Sequence, residues 1–190
     1  MPNFIPGKII KTFISKKGIQ ITLRYPVWED LQQMTDYINT LSQEDTYIIF
    51  SGEKVSLEHE AVYLAGLFTK MGSKDSVVIH AVVEKELVGR VDIHRDLTQK
   101  KRAQHMGILG LTIKKEYRGQ GLGEELIKVV LQEAKRELLG IDSIILQVFG
   151  NNTIAQTLYK KVGFKECGKI PRGLLYKGEY VDDITMVKSL

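Results

Sequence analysis

The chain has 190 residues, of which 43% are hydrophobic and 26% charged, the composition of an ordinary soluble globular protein. Its length suits a single domain over residues 1–190. No apolar run approaches the ~20 residues of a membrane helix, and the first 17 residues lack the apolar block and cleavage site of a secretion signal. We therefore expect a cytoplasmic protein with no membrane partner.

The charge balance excludes few classes of function, but it favours ligands that are anions. There are 27 basic and 23 acidic residues, which give a net charge of +4, a mild excess that favours polyanionic ligands. Lys100, Lys101 and Arg102 form the densest basic cluster, best explained as a solvated loop. No recognition helix or aromatic–basic array indicates nucleic-acid binding. The single cysteine, Cys167, excludes an internal disulfide framework and fits a reducing compartment.

The N-terminal half predicts one strand, two helices and a hairpin. Alternation of apolar and polar side chains predicts a strand over residues 19–25, which Pro26 ends. Apolar residues at helical spacing predict helices over 27–41 and 57–71. Two strands over 76–84 and 87–94 are joined by a tight turn, and a polar connector over 95–102 follows.

The C-terminal half alternates strands and helices. The predicted elements are a strand over 105–113, a helix over 122–139, a near-continuous apolar strand over 143–149, a helix over 153–162 and a terminal hairpin from 164 to 188. Gly140 and Gly163 stand where helix ends favour a left-handed residue. This order of elements predicts a three-layer α/β domain.

The most informative segment is residues 118–123, Arg-Gly-Gln-Gly-Leu-Gly, between a predicted strand and a predicted helix. Glycines let the backbone approach a ligand closely because no Cβ intervenes. The first N–H groups of the helix that follows have no partner inside the helix. Together these features predict a cradle for a pyrophosphate.

Two nucleotide-binding motifs are disfavoured. A dinucleotide fingerprint needs G-x-G-x-x-G directly after a strand, whereas these glycines stand at 119, 121 and 123, after an intervening basic segment over 114–118. A Walker A loop ends in Gly-Lys-Ser or Gly-Lys-Thr, whereas Gly123 is followed by Glu124. A nicotinamide-binding fold and a nucleotide hydrolase are therefore both disfavoured.

Residues 118–123 resemble the R/Q-x-x-G-x-G/A loop of the GNAT superfamily of N-acetyltransferases. Two later segments strengthen the resemblance: N-x-x-A-x-x-L-Y-x-x-x-G-F over 152–164, and G-x-Y-V-D-x-x-x-M over 178–186, which is similar to the closing strand of amino-group acetyltransferases of the ribosomal-protein N-terminal and small-amine type. The resemblance implies an α/β (α+β) fold with one mixed, mostly antiparallel twisted sheet of about six to seven strands and about four helices. A splayed parallel strand pair would form the cofactor cleft.

By this resemblance the co-substrate is acetyl-CoA and no metal is involved. Backbone amides of the strand before the loop would bond the pantetheine and polarise the thioester carbonyl, and the loop would hold the pyrophosphate. Lys114, Lys115 and Lys160 are possible phosphate partners, although each is more simply a surface lysine. The predicted cofactor-binding residues are Leu111, Thr112, Ile113, Arg118, Gly119, Gln120, Gly121, Leu122, Gly123 and Asn152.

The resemblance also indicates a catalytic role for Tyr159. A phenol can donate a proton or a hydrogen bond to the departing thiolate; the alternative is a core tyrosine. Asn152 either bonds the cofactor's amide arm or caps the helix that follows. Cys167 has no histidine beside it, so direct attack of the amine on the thioester is expected instead of an acetyl-cysteine intermediate.

The sequence offers several candidates for the general base and does not decide between them. Many relatives carry a glutamate where this sequence has Gly107. His105 has the same strand parity and is the predicted catalytic base, with a reference pKa of ~6.5; a solvent-facing histidine is the alternative. Asp92 and His94 are weaker candidates, and a base acting through water is another.

The acceptor is predicted to be a primary amine: a protein N-terminus, a lysine, a polyamine or another small amine. Tyr176, Tyr180 and Asp182, on the terminal hairpin, are the predicted acceptor-binding residues. The alternative function is a non-catalytic acyl-CoA-binding module or partner subunit, and the missing carboxylate at Gly107 is its only support. We expect a monomer or a homodimer.

Overall fold

The computed structural model describes residues 4–95 and 100–190. Within them the strands are β1 Ile9–Ile14, β2 Gln20–Arg24, β3 Ser76–Val83, β4 Glu86–Arg95, β5 Met106–Ile113, β6 Ser143–Phe149, β7 Lys165–Tyr176 and β8 Glu179–Ser189. The α-helices are α1 Leu31–Gln43, α2 Leu57–Gly72, α3 Leu122–Glu137 and α4 Thr153–Lys161. None of these helices is long and apolar enough to cross a membrane.

All eight strands form one sheet in the order β1-β2-β3-β4-β5-β6-β8-β7. Every neighbouring pair is antiparallel except β5 and β6, which are parallel. The predicted architecture is therefore confirmed, with one strand more than the six or seven expected. The additional strand is β1, in a segment for which the sequence predicts no strand. Its side chains lie on a sheet edge and are mostly exposed, so the apolar alternation of a half-buried strand is missing.

Most element boundaries agree with the sequence pattern within two or three residues. The predicted helix over 27–41 begins instead with a 3-10 turn at Trp28–Asp30 and becomes α-helical at Leu31. The predicted connector over 95–102 lies partly outside the described residues. β7 is longer than expected because Pro171 and Gly173 fall in a bulge that interrupts its pairing with β8 instead of ending the strand.

The helices cover the two faces of the sheet unequally. α3 packs across β3 and β4 on one face, while α1 and α2 pack on β4 and β3 from the other. The apolar core lies mainly on the α3 side, where Leu126, Ile127 and Val130 meet Val91 and Ile93, all fully buried. On the α1/α2 side the sheet carries polar groups, and this second face is where the candidate site lies.

A buried ion pair fixes the start of α1 against the sheet. Arg24 donates to both carboxylate oxygens of Asp30, at 2.6 and 2.8 Å, and His80 contacts the same carboxylate through Nδ1 at 2.9 Å. Burial opposes ionisation of Asp30, but these bonds hold its pKa well below the ordinary value. Burial also lowers the pKa of His80 more than Asp30 raises it, so the neutral imidazole donates its Nδ1–H to Asp30.

We expect Asp30→Asn to destabilise the protein by about 3 kcal/mol, because it leaves the largely buried guanidinium of Arg24 without its counterion. A depressed carboxyl pKa contributes stability that is present above its unfolded value and is lost as the pH falls below it. The difference between wild type and variant should therefore shrink below about pH 4. Urea unfolding across pH 3–8 measures this difference, with the exposed Asp36→Asn as control. Equal effects of the two variants at pH 7 would contradict the prediction.

Candidate active site

The parallel strands β5 and β6 pair over three positions only. Met106 lies opposite Ser143, Gly107 opposite Ile144, and Ile108 opposite Ile145. Beyond these pairs, β5 stays bonded to β4 as far as its last residue and β6 to β8 as far as its own. A gap therefore opens between residues 109–113 and residues 146–149, and we call it the splay.

The backbone of β5 directs alternate residues toward the splay. Lys114 N–H donates to the Val88 carbonyl at 2.9 Å, so the backbone amide of the residue after β5 points to β4. Because successive residues of a strand direct their backbone groups to opposite edges, the amide of Thr112 also points to β4. The amides of Leu111 and Ile113 point into the splay. These two amides can meet a ligand there.

Thr112 does not face the splay, because its backbone and its hydroxyl are bonded to other elements. Its backbone belongs to the ladder with β4, where it lies opposite Arg90, and its hydroxyl accepts a hydrogen bond from Tyr37 of α1 at 2.9 Å. Of the three residues predicted on this strand, the structure brings Leu111 and Ile113 to the ligand side and gives Thr112 a role in holding α1 to the sheet.

The glycine loop follows β5 at the wide end of the splay. Gly119 and Gly121 have φ values of +72° and +89°, a region that disfavours side chains. A Cβ on Gly123 would lie 2.9 Å from Leu158 Cδ2 and 3.3 Å from Ile113 Cδ1. The glycines therefore permit a tight turn into α3 and close packing of α4 against its first residues. The free N–H groups of α3 point out of this turn.

The side chain of Gln120 supports the loop from behind. It is 2% exposed, its Nε2 donates to the Glu116 carbonyl, and its Oε1 accepts from Ser15 Oγ at 3.2 Å. Lys16 N–H donates to the Gln120 carbonyl at 3.2 Å. Gln120 thus anchors the loop to the turn between β1 and β2, and Leu122, at 1% exposed, belongs to the core. Only the backbones of these two predicted residues are available to a ligand.

Arg118 links the loop to the other side of the cleft. Its Nε donates to the Ile113 carbonyl at 2.9 Å, and its terminal nitrogens pair with the carboxylate of Glu44. Glu44 follows α1, so this ion pair ties the loop to the segment between α1 and α2. The guanidinium predicted to hold a phosphate is thus already paired.

Acidic side chains at the start of α3 are neutralised by lysines. Glu124 pairs with Lys128 at 2.8 Å and with Lys161 of α4 at 2.6 Å. The bonds from these two lysines lower the pKa of Glu124 to about 2. Glu125 pairs with Lys11 of β1 at 2.6 Å. The N-terminus of α3 therefore presents its positive dipole end to a ligand without opposing free carboxylates.

The three lysines considered as phosphate partners differ. Lys114 pairs with Glu86 at 2.6 Å. Lys115 and Lys160 are exposed and form no ion pair with any residue in 4–95 or 100–190. Two ammonium groups, one shortly before the glycine loop and one on α4, thus remain without a carboxylate partner among these residues.

Tyr159 and Asn152 lie on and before α4. Tyr159 is 7% exposed, its ring packs edge-on against Phe164 with centroids 6.0 Å apart, and burial raises its pKa to about 12. Its hydroxyl has no hydrogen-bond partner among the described side chains and is free to donate. Asn152 caps α4, since its Oδ1 accepts from Ala155 N–H at 3.1 Å.

His105 and Gly107 do not lie in this site. His105 precedes β5 at the opposite end from the glycine loop, in a surface depression of about 480 Å³ with Arg95 and Leu139. A Cβ on Gly107 would lie 2.7 Å from Ile93 Cγ2 and 2.9 Å from Ile144 Cδ1. Position 107 therefore faces the apolar core. The strand parity that His105 shares with Gly107 directs the His105 side chain away from the cleft.

The weaker sequence candidates, Asp92 and His94, lie beside the splay. Asp92 is the register partner of Gly110, and His94 that of Ile108, the last residue paired before the splay opens. An added Cβ on Gly110 would lie 3.3 Å from Asp92 Oδ1, so the glycine leaves the carboxylate uncovered. Asp92 Oδ2 contacts His94 Nδ1 at 3.3 Å.

Asp92 is held in its ionised form. Burial opposes ionisation, but Arg90, whose Nη2 lies 3.1 Å away, together with the hydrogen bond from His94, holds the pKa of Asp92 below its ordinary value. Arg90 itself lies over the ring of Tyr63 of α2, 5.0 Å from its centroid. A fixed carboxylate next to a partly exposed imidazole is a suitable arrangement for orienting a proton acceptor.

An aromatic cluster borders the wide end of the splay on the same face as Asp92. Tyr176 of β7 stacks on Tyr47 with centroids 4.5 Å apart, and both contact Phe149 at the end of β6. Tyr47 and Phe149 were not among the predicted site residues, because Tyr47 lies in a segment between α1 and α2 that carries no motif. Phe149 stands at the end of a near-continuous apolar strand, so no local pattern distinguishes it either.

Tyr180 and Asp182 lie on the other face of the hairpin. Tyr176 is the register partner of Glu179, so the next residue, Tyr180, points away, and Arg172 covers its ring at 4.5 Å. Asp182 pairs with Lys169 at 3.0 Å. Its neighbour Asp183, 7% exposed, faces the splay side instead, as the register partner of Phe149.

The site therefore combines a cradle for an anion, an open strand edge and, on the α1/α2 side of the sheet, a face that carries carboxylates and aromatic rings. In the described ranges, no group of three or more His, Cys, Asp or Glu side chains is arranged to hold a metal ion. Glycines of positive φ, free α3 amides and free β5 amides fit a ligand that carries a pyrophosphate followed by a long arm with amide groups, as coenzyme A does.

Comparisons with known proteins agree with this arrangement. The sequence profile of the acetyltransferase (GNAT) family matches residues 35–164. The chain is 30% identical to an L-amino acid N-acetyltransferase of Escherichia coli over 57% of this chain and 65% of that protein. It is 26% identical to an N-alpha-acetyltransferase of Sulfurisphaera tokodaii over 87% and 92% of the two chains. A GNAT-family acetyltransferase of Streptococcus pneumoniae superposes with a TM-score of 0.80 at 25% identity, over 90% of this chain and 99% of that one.

We expect Gly119→Ala to raise the dissociation constant of coenzyme A about 10-fold or more, because the strained turn shifts the amides of the cradle. Isothermal titration calorimetry measures this constant. Gly140→Ala is the matched control, since Gly140 has a φ of +75° against +72° for Gly119, and an added Cβ would meet no atom within 4 Å at either position. Equal losses of affinity in the two variants would contradict the assignment of the loop.

Proposed function

The chain belongs to the acetyltransferase (GNAT) family, and we propose that it transfers the acetyl group of acetyl-CoA to a primary amine by direct attack in a ternary complex. The observation that carries this proposal is the splay between β5 and β6, with the glycine loop at its wide end. Both relatives described above are N-acetyltransferases by name, which supports a nitrogen acceptor. The acceptor candidates are a protein N-terminus, a lysine side chain and a small amine or polyamine.

The cofactor-binding residues follow from the backbone of the cleft. When bound, acetyl-CoA supplies the thioester that the amine attacks. The amides of the α3 N-terminus, released by Gly119, Gly121 and Gly123, hold the pyrophosphate. The amides of Leu111 and Ile113 bond the pantetheine side and donate to the carbonyl oxygen as negative charge develops on it.

Tyr159 is proposed to donate to the departing thiolate. Its hydroxyl has no competing partner among the described residues, and with a pKa of about 12 it stays protonated through the physiological range. Leu158 packs against Gly123, which brings α4 next to the start of α3. The phenol is therefore a neutral donor close to the cradle.

His94 is proposed as the general base, with Asp92 as its positioning residue. Both lie at the narrow end of the splay on the α1/α2 side of the sheet, which we take as the acceptor face, and Gly110 leaves this region open. Asp92 accepts a hydrogen bond from Nδ1–H of His94, which leaves Nε2 to take a proton from the acceptor ammonium, and the neutral amine so formed attacks the thioester. The side chain of His94 is 40% exposed, so the proton can pass on to solvent.

A non-catalytic acyl-CoA-binding module is the second candidate. Its only support in the sequence is the missing carboxylate at Gly107. That position faces Ile93 and Ile144 in the core, so a glycine there does not remove a base from the cleft. Gly107 no longer distinguishes the two functions, and Asp92 and His94 favour the enzyme.

We expect the protein to acetylate at least one member of an amine panel with acetyl-CoA, and Tyr159→Phe to lower kcat about 100-fold with little change in the KM of acetyl-CoA. Thiol release measured by a chromogenic reagent provides the assay. Tyr25→Phe is the control, because Tyr25 is also buried and donates to Glu133 at 2.6 Å, away from the splay. A chain that binds coenzyme A and acetylates nothing would support the binding module.

We expect His94→Ala to lower kcat by a similar factor of about 100, with partial recovery when imidazole is added to the assay. A small external base can fill the space left by the side chain, whereas it cannot repair a misfolded protein. His59→Ala, an exposed histidine on α2, should retain full activity. Activity of His94→Ala within threefold of wild type would exclude His94 as the base.

A further inference from the structure

Asp183 is a buried carboxylate on the acceptor face that the proposed reaction does not use. It is 7% exposed and is the register partner of Phe149 at the end of β6. Because side chains alternate along a strand, Asp183 lies on the face of the sheet that carries the aromatic cluster. Its neighbour Asp182 lies on the opposite face with Lys169.

One oxygen of Asp183 is satisfied and the other is not. Gln147 Nε2 donates to Oδ2 at 2.8 Å. Oδ1 is buried and has no hydrogen-bond partner, and no Lys or Arg in the described part of the chain pairs with this carboxylate. Leaving a buried charged oxygen without a donor costs more than leaving a neutral one. A donor that arrives with the ligand would remove this cost.

The surroundings of Asp183 favour a cation as that ligand. The neighbouring Phe149 belongs to the cluster with Tyr47 and Tyr176, and aromatic faces attract ammonium groups. An ammonium also supplies the N–H donors that Oδ1 lacks. An acidic acceptor would gain neither interaction, and an uncharged one would gain at most a neutral hydrogen bond.

The distance to the splay limits the length of the ligand. Asp183 lies on β8, which is the second strand from β5 in the sheet. Its register partner on β6, Phe149, is two residues beyond Gln147. Strand spacings of about 4.8 Å and a rise of about 3.3 Å per residue place it on the order of 10 Å from the middle of the splay. The reacting nitrogen and the group bound by Asp183 are therefore different parts of one acceptor.

We propose that Asp183 binds a second positive charge on the acceptor, so that the enzyme prefers amines that carry another ammonium about 10 Å from the reacting nitrogen. This inference rests on the proposed acetyltransferase function. The shared chemistry is that of a linear diamine or polyamine and of a peptide with a lysine near its N-terminus. Gln147 is the positioning residue that orients the carboxylate.

The test compares matched acceptors and matched variants. The acceptors are 1,7-diaminoheptane against heptylamine, and a short peptide with lysine at its second position against the same peptide with norleucine. The variants are Asp183→Asn and, as control, Asp182→Asn. We expect wild type and Asp182→Asn to prefer the dicationic member of at least one pair 10-fold or more in kcat/KM, mainly through KM. Asp183→Asn should abolish this preference, while its KM for acetyl-CoA stays unchanged.

Thr185→Lys keeps the test decisive if Asp183→Asn fails to fold. Thr185 is the register partner of Gln147, and its replacement brings an internal ammonium to the carboxylate. This variant should lose the preference for dications while it still acetylates heptylamine.

The outcomes separate the two proposals. If wild type acetylates amines but shows no preference for dications, or if Asp183→Asn retains the preference, the role of Asp183 is excluded and the acetyltransferase function stands. If wild type acetylates no amine at all, the proposed function itself fails. The pair of acceptors that shows the preference identifies whether the second charge comes from a small polyamine or from a peptide.

Discussion

The divergence of β5 from β6 after Ile108 and Ile145 is the constraint on which the rest of the site depends. A strand edge in the middle of a sheet normally has its amides paired, because a buried unpaired amide costs about 1–3 kcal/mol. Here β5 stays bonded to β4 and β6 to β8, so the gap opens without weakening the neighbouring ladders. The unpaired edge is therefore a built feature, and a ligand with amide groups of its own can complete it.

The two faces of the sheet have different roles: one packs the apolar core, and the other carries the polar groups of the candidate site. On the α3 face, Gly107 and Gly123 allow apolar side chains to approach closely, and the core is continuous. On the other face, Gly110 leaves Asp92 accessible, and charged or polar groups persist across β3, β4 and β5. Arg90 is common to this second set, since it contacts Asp92 and also Tyr63. The polar face is costly to bury, and its ion pairs and hydrogen bonds offset that cost.

The sequence predicts the local parts of this design well. The glycine loop, the cap at Asn152 and the order of strands and helices all depend on neighbours in the chain, so spacing alone is sufficient. The predictions that fail depend on which face a side chain occupies. Alignment through the glycines places the family's glutamate at Gly107, and His105 is predicted from its shared strand parity, but a side chain at position 107 would face the core. Asp182 and Asp183 differ by one residue, and only the register with β6 tells which of them faces the splay. β1 and the contact of Tyr47 with Tyr176 depend on long-range packing that no local pattern contains.

The turn between β1 and β2 has a consequence for the thermodynamics of cofactor binding. A glycine-rich loop that ordered itself around its ligand would lose backbone entropy worth about 1–2 kcal/mol per residue at the moment of association. Lys16 and Ser15 already bond Gln120, so this ordering is completed during folding and does not weaken association. An exposed edge strand thereby preorganises a loop that lies about one hundred residues further along the chain.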